Sequence, residues 1–234
     1  MQLLGIIPAR GGSKGIPNKN LAPVAGRPLL AYTADAVRDA TRLTRVIVST
    51  DDPAIASAAR ALGIEVPFVR PASMAADDTP MLPVVQHALA AMRDIGFAAD
   101  AIVLLQPTSP LRRAEHIDAG IDLFERSGAD AVVSVVEVPH QFNPVSVLRL
   151  DGDRLESFLD TPSVTRRQDK PRLFARNGPA VLVVRASVVE GGSLYGDDCR
   201  ALVMSAEDSL DVDTPWDASL VEAVLSARRR GTHV

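Results

Sequence analysis

The chain alternates two kinds of segment. Short continuous apolar runs, rich in β-branched residues, occur at Leu3–Ile7, Val46–Val48, Ala101–Leu105, Ala131–Val136, Val181–Val184 and Ala201–Met204. Runs without polar alternation suit strands buried on both faces of a sheet. Between them lie segments with helical spacing: Pro28–Ala40, Pro53–Leu62, Pro80–Ile95, Ala114–Ser127 and Pro215–Arg230. In the third, Val84, Val85, Ala88, Leu89 and Met92 fall on one face, and Thr79 is placed to cap the helix ahead of Pro80. Asp51-Asp52 opens the second, and Arg228-Arg229-Arg230 reads as a solvated end of the last. Strand–helix alternation predicts an α/β fold, a mainly parallel twisted sheet flanked by helices. Right-handed crossovers then bring the carboxyl ends of the strands to one edge, where ligands bind.

The rhythm breaks over 137–174. Val145–Leu150, a turn at Asp151-Gly152-Asp153 and Arg154–Leu159 read as a hairpin. The composition is wrong for a flexible linker, so the segment is expected to be an inserted arm projecting from a single domain spanning 1–234.

Composition narrows the function. The 234 residues carry 25 Lys and Arg against 29 Asp and Glu, a formal charge of −4, and 47% are hydrophobic. That fits a folded globular protein and argues against disorder. A mildly acidic chain lacks the basic face of a general nucleic-acid binder, so an anionic ligand must meet locally gathered cations. One cysteine, Cys199, excludes an intrachain disulfide framework and a multi-cysteine metal site. His87, His116, His140 and His233 are far apart, which singles out none as a zinc ligand; His87 lies within a helical pattern and reads as structural. No apolar stretch reaches about 18 residues, so no membrane span is expected. The opening run reads as a strand rather than a signal peptide, and a cytoplasmic location is the expectation.

Four stretches carry chemistry. Pro8–Asn20 leaves the first strand as a Gly-rich loop holding Arg10, Lys14 and Lys19. Gly11, Gly12 and Gly15 let backbone N–H groups turn toward an anion, and Arg10 and Lys14 add charge-assisted bonds to phosphate. The loop has neither Walker A nor G-x-G-x-x-G spacing. Gly11-Gly12-Ser13-Lys14-Gly15 also satisfies G-x-S-x-G, which would make Ser13 a hydrolase nucleophile with His233 as the late histidine. That elbow needs a helix starting directly after the serine, whereas Pro17-Asn18-Lys19-Asn20 suits an extended loop. Near the other end, Asp211-Val212-Asp213 puts two carboxylates on one face of an extended segment. Such a pair suits a hard divalent cation, with Mg²⁺ expected, although Asp213-Thr214-Pro215 also suits a helix start. Nearby Asp208 and Asp217 are read as capping or solvated. Gln106, at the end of a central strand, offers a donor and an acceptor to a polar substrate; Ser109-Pro110 alternatively opens a helix. Arg166-Arg167 and Arg176-Asn177-Gly178 suit recognition of a carboxylate or phosphate, or a solvated surface.

Taken together, Ile7–Asn20, Val48-Ser49-Thr50-Asp51, Arg70-Pro71, Leu105–Arg112 and Asp211-Val212-Asp213-Thr214 resemble, in order and approximate spacing, the acylneuraminate cytidylyltransferases. The resemblance covers nearly the whole chain. It implies a Rossmann-like nucleotidyltransferase fold and activation of a 2-keto-3-deoxy sugar acid by CTP, giving the CMP-sugar and pyrophosphate. It implies that Arg10, Gly11, Gly12, Ser13, Lys14, Asn20 and Arg70 bind nucleotide. Gln106, Arg167 and Asn177 would meet the sugar, and Asp211 and Asp213 the metal. Arg10, Lys14 and Asp213 would carry catalysis. It further implies a homodimer, with Arg167 reaching across from an arm at 137–174. The chain departs from the family where Arg176 abuts Asn177, where Pro179 follows Gly178, and at Met81, a position where relatives often offer a serine to the base. These departures leave the acceptor open among N-acetylneuraminate, legionaminate, pseudaminate and other acids. A non-catalytic nucleotide-binding relative is the alternative reading.

Overall fold

A computed structural model describes residues 1–13, 15–159 and 166–231. Its strands are β1 (Leu3–Pro8), β2 (Pro23–Val24), β3 (Arg27–Pro28), β4 (Arg45–Ser49), β5 (Ala101–Leu104), β6 (Ala131–Glu137), β7 (Leu148–Asp151), β8 (Arg154–Ser157), β9 (Phe174–Arg176), β10 (Leu182–Arg185) and β11 (Cys199–Met204). Its α-helices are α1 (Leu29–Asp39), α2 (Pro53–Ala61), α3 (Met81–Asp94), α4 (Ala114–Ser127), α5 (Ala186–Glu190) and α6 (Pro215–Arg229). The central sheet runs β11-β6-β10-β5-β1-β4, with β9 also paired to β6.

β1 is parallel to β4 and β5, and β6 is parallel to β11, as the alternation predicts. β10 and β9 correct that expectation: both run antiparallel to their neighbours. A reversed central strand buried on both faces carries the same continuous apolar run as a parallel one, so the pattern alone does not reveal its direction. The reversal has a consequence for the site. β9 and β10 are one interrupted strand laid along β6: Val133 faces Leu182, yet Val135 faces Arg176, which leaves four extra residues between them. That bulge, around Asn177–Ala180, lies at the carboxyl edge of the parallel strands.

Helices cover both sheet faces. Leu3, Ile7, Val48 and Val103 pack with α1, α2 and α4 through Leu30, Ile55, Ile121 and Phe124. The alternate residues Leu4, Ile6, Ile47 and Ile102 pack with α3 and α5 through Val85, Met92 and Val189. A smaller cluster seats α6 through Val24, Leu29, Leu111, Val212 and Val221. β11 is an edge strand, largely exposed, rather than the doubly buried strand its apolar run predicts. No described helix is long and apolar enough to cross a membrane.

The caps expected at the starts of α2 and α6 hold. Asp52 accepts from Ala54 and Ile55 N–H at 2.7 and 3.1 Å, and Thr214 and Asp217 form a reciprocal box at the start of α6. Thr79, in contrast, caps nothing: α3 begins at Met81 behind Pro80, and the Thr79 N–H closes a turn onto Ala76. Ser109-Pro110 opens no helix, since α4 starts at Ala114.

Candidate active site

Four segments and the bulge meet at the carboxyl edge around a cavity of about 590 Å³. Its wall includes Pro8, Arg10, Ser13, Gly15, Lys19 and Asn20 from the loop after β1, and Gln106, Pro107 and Thr108 from the loop after β5. Asp211 and Asp213 come from the segment before α6, Gly178 from the bulge, and Arg70 and Met81 from the stretch leading into α3.

Backbone contacts fix these pieces to one another. The Val212 N–H donates to the Thr108 carbonyl at 2.8 Å, which seats the acidic segment against the β5 loop. On the other side Gly15 abuts it so closely that a Cβ built there would lie 2.5 Å from the Asp213 carbonyl oxygen. Only glycine permits that approach. Asn20, buried, donates from Nδ2 to the Arg10 carbonyl at 3.0 Å and holds the loop's first cation in place. The bulge is locked from beneath. Arg112 is buried and donates to the Gln106 carbonyl at 3.0 Å, the Ala180 carbonyl at 2.9 Å and Thr33 Oγ1 at 2.5 Å. Burial pushes its guanidinium down to about 9, which still leaves it charged at neutral pH.

The two carboxylates are unlike. Asp213 is exposed and takes Lys19 Nζ on Oδ1 at 2.8 Å. Asp211 is held above the usual carboxylate range, first by burial and then by the charges of Asp213 and Asp217; Lys19 and the nearby Thr108 hydroxyl work the other way. Its Oδ1 is fully enclosed and finds no aligned hydrogen-bond donor among the described residues. An enclosed, unpartnered carboxylate oxygen beside a second carboxylate fits a hard cation. Among the described residues there is no cluster of three or more His, Cys, Asp or Glu side chains for a metal cage. Two oxygen-donor side chains fit Mg²⁺, which keeps water and phosphate as its other ligands.

The structure therefore brings together Arg10, Ser13, Asn20, Arg70, Gln106, Asp211 and Asp213 from the residues singled out in the sequence. Arg70 is buried, donating to Ser49 Oγ at 3.2 Å and to the Ser49 carbonyl; burial and the charge of Arg10 lower its guanidinium, with Asp51 opposing. Gln106 donates from Nε2 to the Gly178 carbonyl at 3.0 Å.

Other candidates fall elsewhere. Gly11 and Gly12 face an adjoining hollow with Asp51, Asp52 and Asp77, and the Gly11 N–H goes to Asp51 Oδ1 at 3.1 Å. Of the glycines expected to bind nucleotide, these two therefore border the adjoining hollow rather than the main cavity. Arg10 borders both spaces and pairs with Asp77 at 2.5 Å. Asn177 is buried below the bulge, its amide committed to Ser134 Oγ at 2.6 Å and Ser209 Oγ at 2.8 Å, so it supports Gly178 rather than facing the cavity. Arg167 lies in a separate cleft of the arm with Glu137, His140, Asn143, Lys170 and Arg172. Lys14 and His233 lie outside the described residues. The hydrolase elbow is absent: the described residues after Ser13 form bends and a short 3₁₀ turn at Lys19–Leu21, not a helix. Nor is Asp208 a solvated residue; it is buried among Arg228, Arg113, His116 and Ser205, and Arg228 is thereby tied down.

Not foreseen from the sequence are the pairing of Lys19 with Asp213, the close approach of Gly15 to the Asp213 carbonyl, the seating of Val212 on the Thr108 carbonyl, and the bulge that brings Gly178 to the cavity. Lys19 stood in view as a loop cation, but its partner is 194 residues away, and nothing local signals that pairing.

The profile of the family described as Cytidylyltransferase matches residues 4–180. The chain is 30% identical over 226 residues to the CMP-N,N'-diacetyllegionaminic acid synthase of Legionella pneumophila, covering 96% of this chain and 97% of that protein. It is also 30% identical over 230 residues to the N-acylneuraminate cytidylyltransferase of Escherichia coli, with 98% of this chain covered but about half, 53%, of that relative. The solved structure of CMP:2-keto-3-deoxy-manno-octonic acid synthetase complexed with CTP superposes with a TM-score of 0.72 at 18% identity, over 97% of this chain and all of that one. The 4-diphosphocytidyl-2C-methyl-D-erythritol synthase of Anaerococcus prevotii superposes with a TM-score of 0.65 at 14% identity, over 96% of this chain and 98% of that one. At such identities the structural likeness concerns the fold. The extent of the profile match and of the sequence relationships assigns this chain to the cytidylyltransferase family.

Proposed function

We propose that the chain transfers a cytidylyl group from CTP to a 2-keto-3-deoxy sugar acid, releasing pyrophosphate. The observation that carries this reading is the meeting of the Arg10–Asn20 loop with Asp211 and Asp213 in one cavity. Anion-binding cations and a carboxylate pair in one space are what phosphoryl-type transfer requires. The acceptor class is supported by the names of the relatives, a CMP-N,N'-diacetyllegionaminic acid synthase and an N-acylneuraminate cytidylyltransferase.

In this reading Arg10 and Lys14 offset the charge of the triphosphate, Asn20 keeps Arg10 in register, and Gln106 orients the sugar. Arg70 and Met81 form the wall on the side of the base. Asp211 and Asp213 would hold a divalent cation, taken as Mg²⁺, which when bound supplies charge neutralisation at phosphate oxygens and a lowered pKa for the attacking hydroxyl. The anomeric hydroxyl oxygen attacks the α-phosphorus in line, its proton passes to solvent, and the bond from the α-phosphorus to pyrophosphate breaks. Positioning and electrostatics do the catalytic work. The arm at 137–174 is assigned to dimerisation, which would bring Arg167 to the sugar carboxylate of a partner's site.

A coupled pyrophosphate assay across four nucleoside triphosphates and a panel of sialate, legionaminate, pseudaminate and octulosonate acids tests this directly. Turnover with CTP and one of these acids is expected. Asp213→Ala is expected to lose on the order of 10²–10³ in rate, the usual cost of one electrostatic contributor. CTP binding without pyrophosphate release from any acid would favour a nucleotide sensor.

A further inference from the structure

Lys19 reaches into the acidic pair rather than toward solvent. Its side chain is 17% exposed, while its partner Asp213 is 71% exposed, and the two meet at 2.8 Å. It is held there from both ends of the chain. Asn18, in the left-handed region at φ 50°, turns the backbone into the 3₁₀ turn that starts at Lys19. Gly15 and Asp213 are pressed together through backbone. Asp217 is already committed, accepting from the Thr214 N–H and hydroxyl at the head of α6, so Lys19 balances a cluster in which Asp211 and Asp213 remain for a ligand.

We infer that Lys19 is the resident counter-ion of Asp213, and that it delays the divalent cation until a triphosphate arrives. An ammonium and a divalent cation repel strongly at the separation that one carboxylate would impose on them. Without nucleotide, a cation must therefore displace Lys19, which lowers its affinity. A triphosphate entering between the loop and the acidic pair gives Lys19 a second anionic partner and gives the cation phosphate ligands. The exchange couples the two binding events: cation and nucleotide load together, and neither side of the cavity is left with unbalanced charge. This inference rests on the assignment of Asp211 and Asp213 as the cation-holding pair.

The test is Mn²⁺ binding to the intact chain, followed at low ionic strength by the electron paramagnetic resonance signal of free Mn²⁺. In the absence of nucleotide, Lys19→Met should bind Mn²⁺ roughly three- to tenfold more tightly than wild type, the range expected for removing one partly exposed competing charge. Lys19→Arg, which keeps the charge, should bind as weakly as wild type. The gain should vanish in Lys19→Met/Asp213→Asn. Equal or weaker binding by Lys19→Met overturns the inference while leaving the cation site standing, provided Asp211→Asn/Asp213→Asn still abolishes Mn²⁺ binding in the presence of CTP. If that double variant keeps CTP-dependent Mn²⁺ binding, the cation site itself is wrong and the inference falls with it.

Discussion

At the scale of single residues, the site depends on close approach as much as on charge. Gly15 is the sharpest case, because the obstacle to a side chain there is the backbone carbonyl of Asp213 at 2.5 Å from a built Cβ. A backbone atom held by the Val212–Thr108 bond and by the α6 cap cannot swing aside as a flexible side chain would. Gly15→Ala should therefore part the N-terminal loop from the acidic pair. The expected outcome is a loss of more than about tenfold in kcat/KM for CTP, since catalysis by positioning is sensitive to displacements of about 1 Å. Thermal unfolding should shift by only a few degrees, because neither segment belongs to the sheet core. An unchanged kcat/KM, measured by pyrophosphate release, would mean that the contact is not needed for turnover.

At the scale of elements, a buried carboxylate ties the acidic segment's short 3₁₀ turn at Glu207–Ser209 to two helices. Asp208 accepts from Arg228 Nη2 of α6 at 2.6 Å and from Ser205 Oγ at 3.0 Å, with Arg113 and His116 at the head of α4 lying 3.3 and 3.5 Å away. Burial alone would raise its pKa; the bonds from Arg228 and Ser205 and the nearby charges outweigh this and hold it below the usual carboxylate range. A carboxylate with a depressed folded pKa contributes stability that is full above its unfolded value, about 4, and is lost as pH falls through the folded value. Asp208→Asn should cost about 1–3 kcal/mol at pH 7, because one arginine partner is itself partly exposed, and the difference from wild type should close toward pH 3. Burial lowers His116, so its own acid destabilisation sets in from about pH 6.5 downward. Urea midpoints against pH in a His116→Gln background separate the two; a gap between the chain with Asp208 intact and its Asp208→Asn variant that stayed constant from pH 7 to 3 would refute the assignment. The elements themselves were largely legible, since Leu3–Ile7 or Val84–Met92 shows its period without help from the rest of the chain. Strand direction was not, because an apolar run such as Val181–Val184 is equally at home in either orientation. For the same reason β11 passed for a central strand, and the five residues of α5 are too few to show a helical period. In the site, Arg10, Asp211 and Asp213 could be found because each is a charged residue in a loop after or beyond a strand. The Gly178 bulge and the Lys19–Asp213 pair could not, since both depend on register and packing across distant segments.

At the scale of the molecule, the hairpin of β7 and β8 carries a contiguous apolar surface that does not suit solvent. Leu150 lies directly opposite Leu155, and Leu148 shares their face two residues along; all three are exposed, at 66%, 62% and 50%. The opposite face carries Arg149, Asp151, Arg154 and Glu156. A two-stranded ribbon is marginal by itself in water, and a one-sided apolar face on such a ribbon gains stability only when something covers it. Phe142, Phe158 and Phe174, also exposed, extend the apolar surface around the arm. The proposed dimer would supply the cover, and it would carry the cationic cleft holding Arg167, Lys170 and Arg172 toward a partner's cavity. Leu150→Asp/Leu155→Asp puts two charges in the middle of that face without touching the catalytic loops. The double variant should dissociate to monomers at micromolar concentration in multi-angle light scattering, where wild type should run as a dimer. If Arg167 serves the partner's site, the same variant should raise KM for the sugar acid on the order of tenfold or more, while KM for CTP changes far less. In the proposed arrangement CTP would meet loops of its own chain, so a parallel loss of both substrates would point to a disturbed core rather than a lost interface. A wild-type chain that is monomeric at every concentration would remove Arg167 from the site altogether.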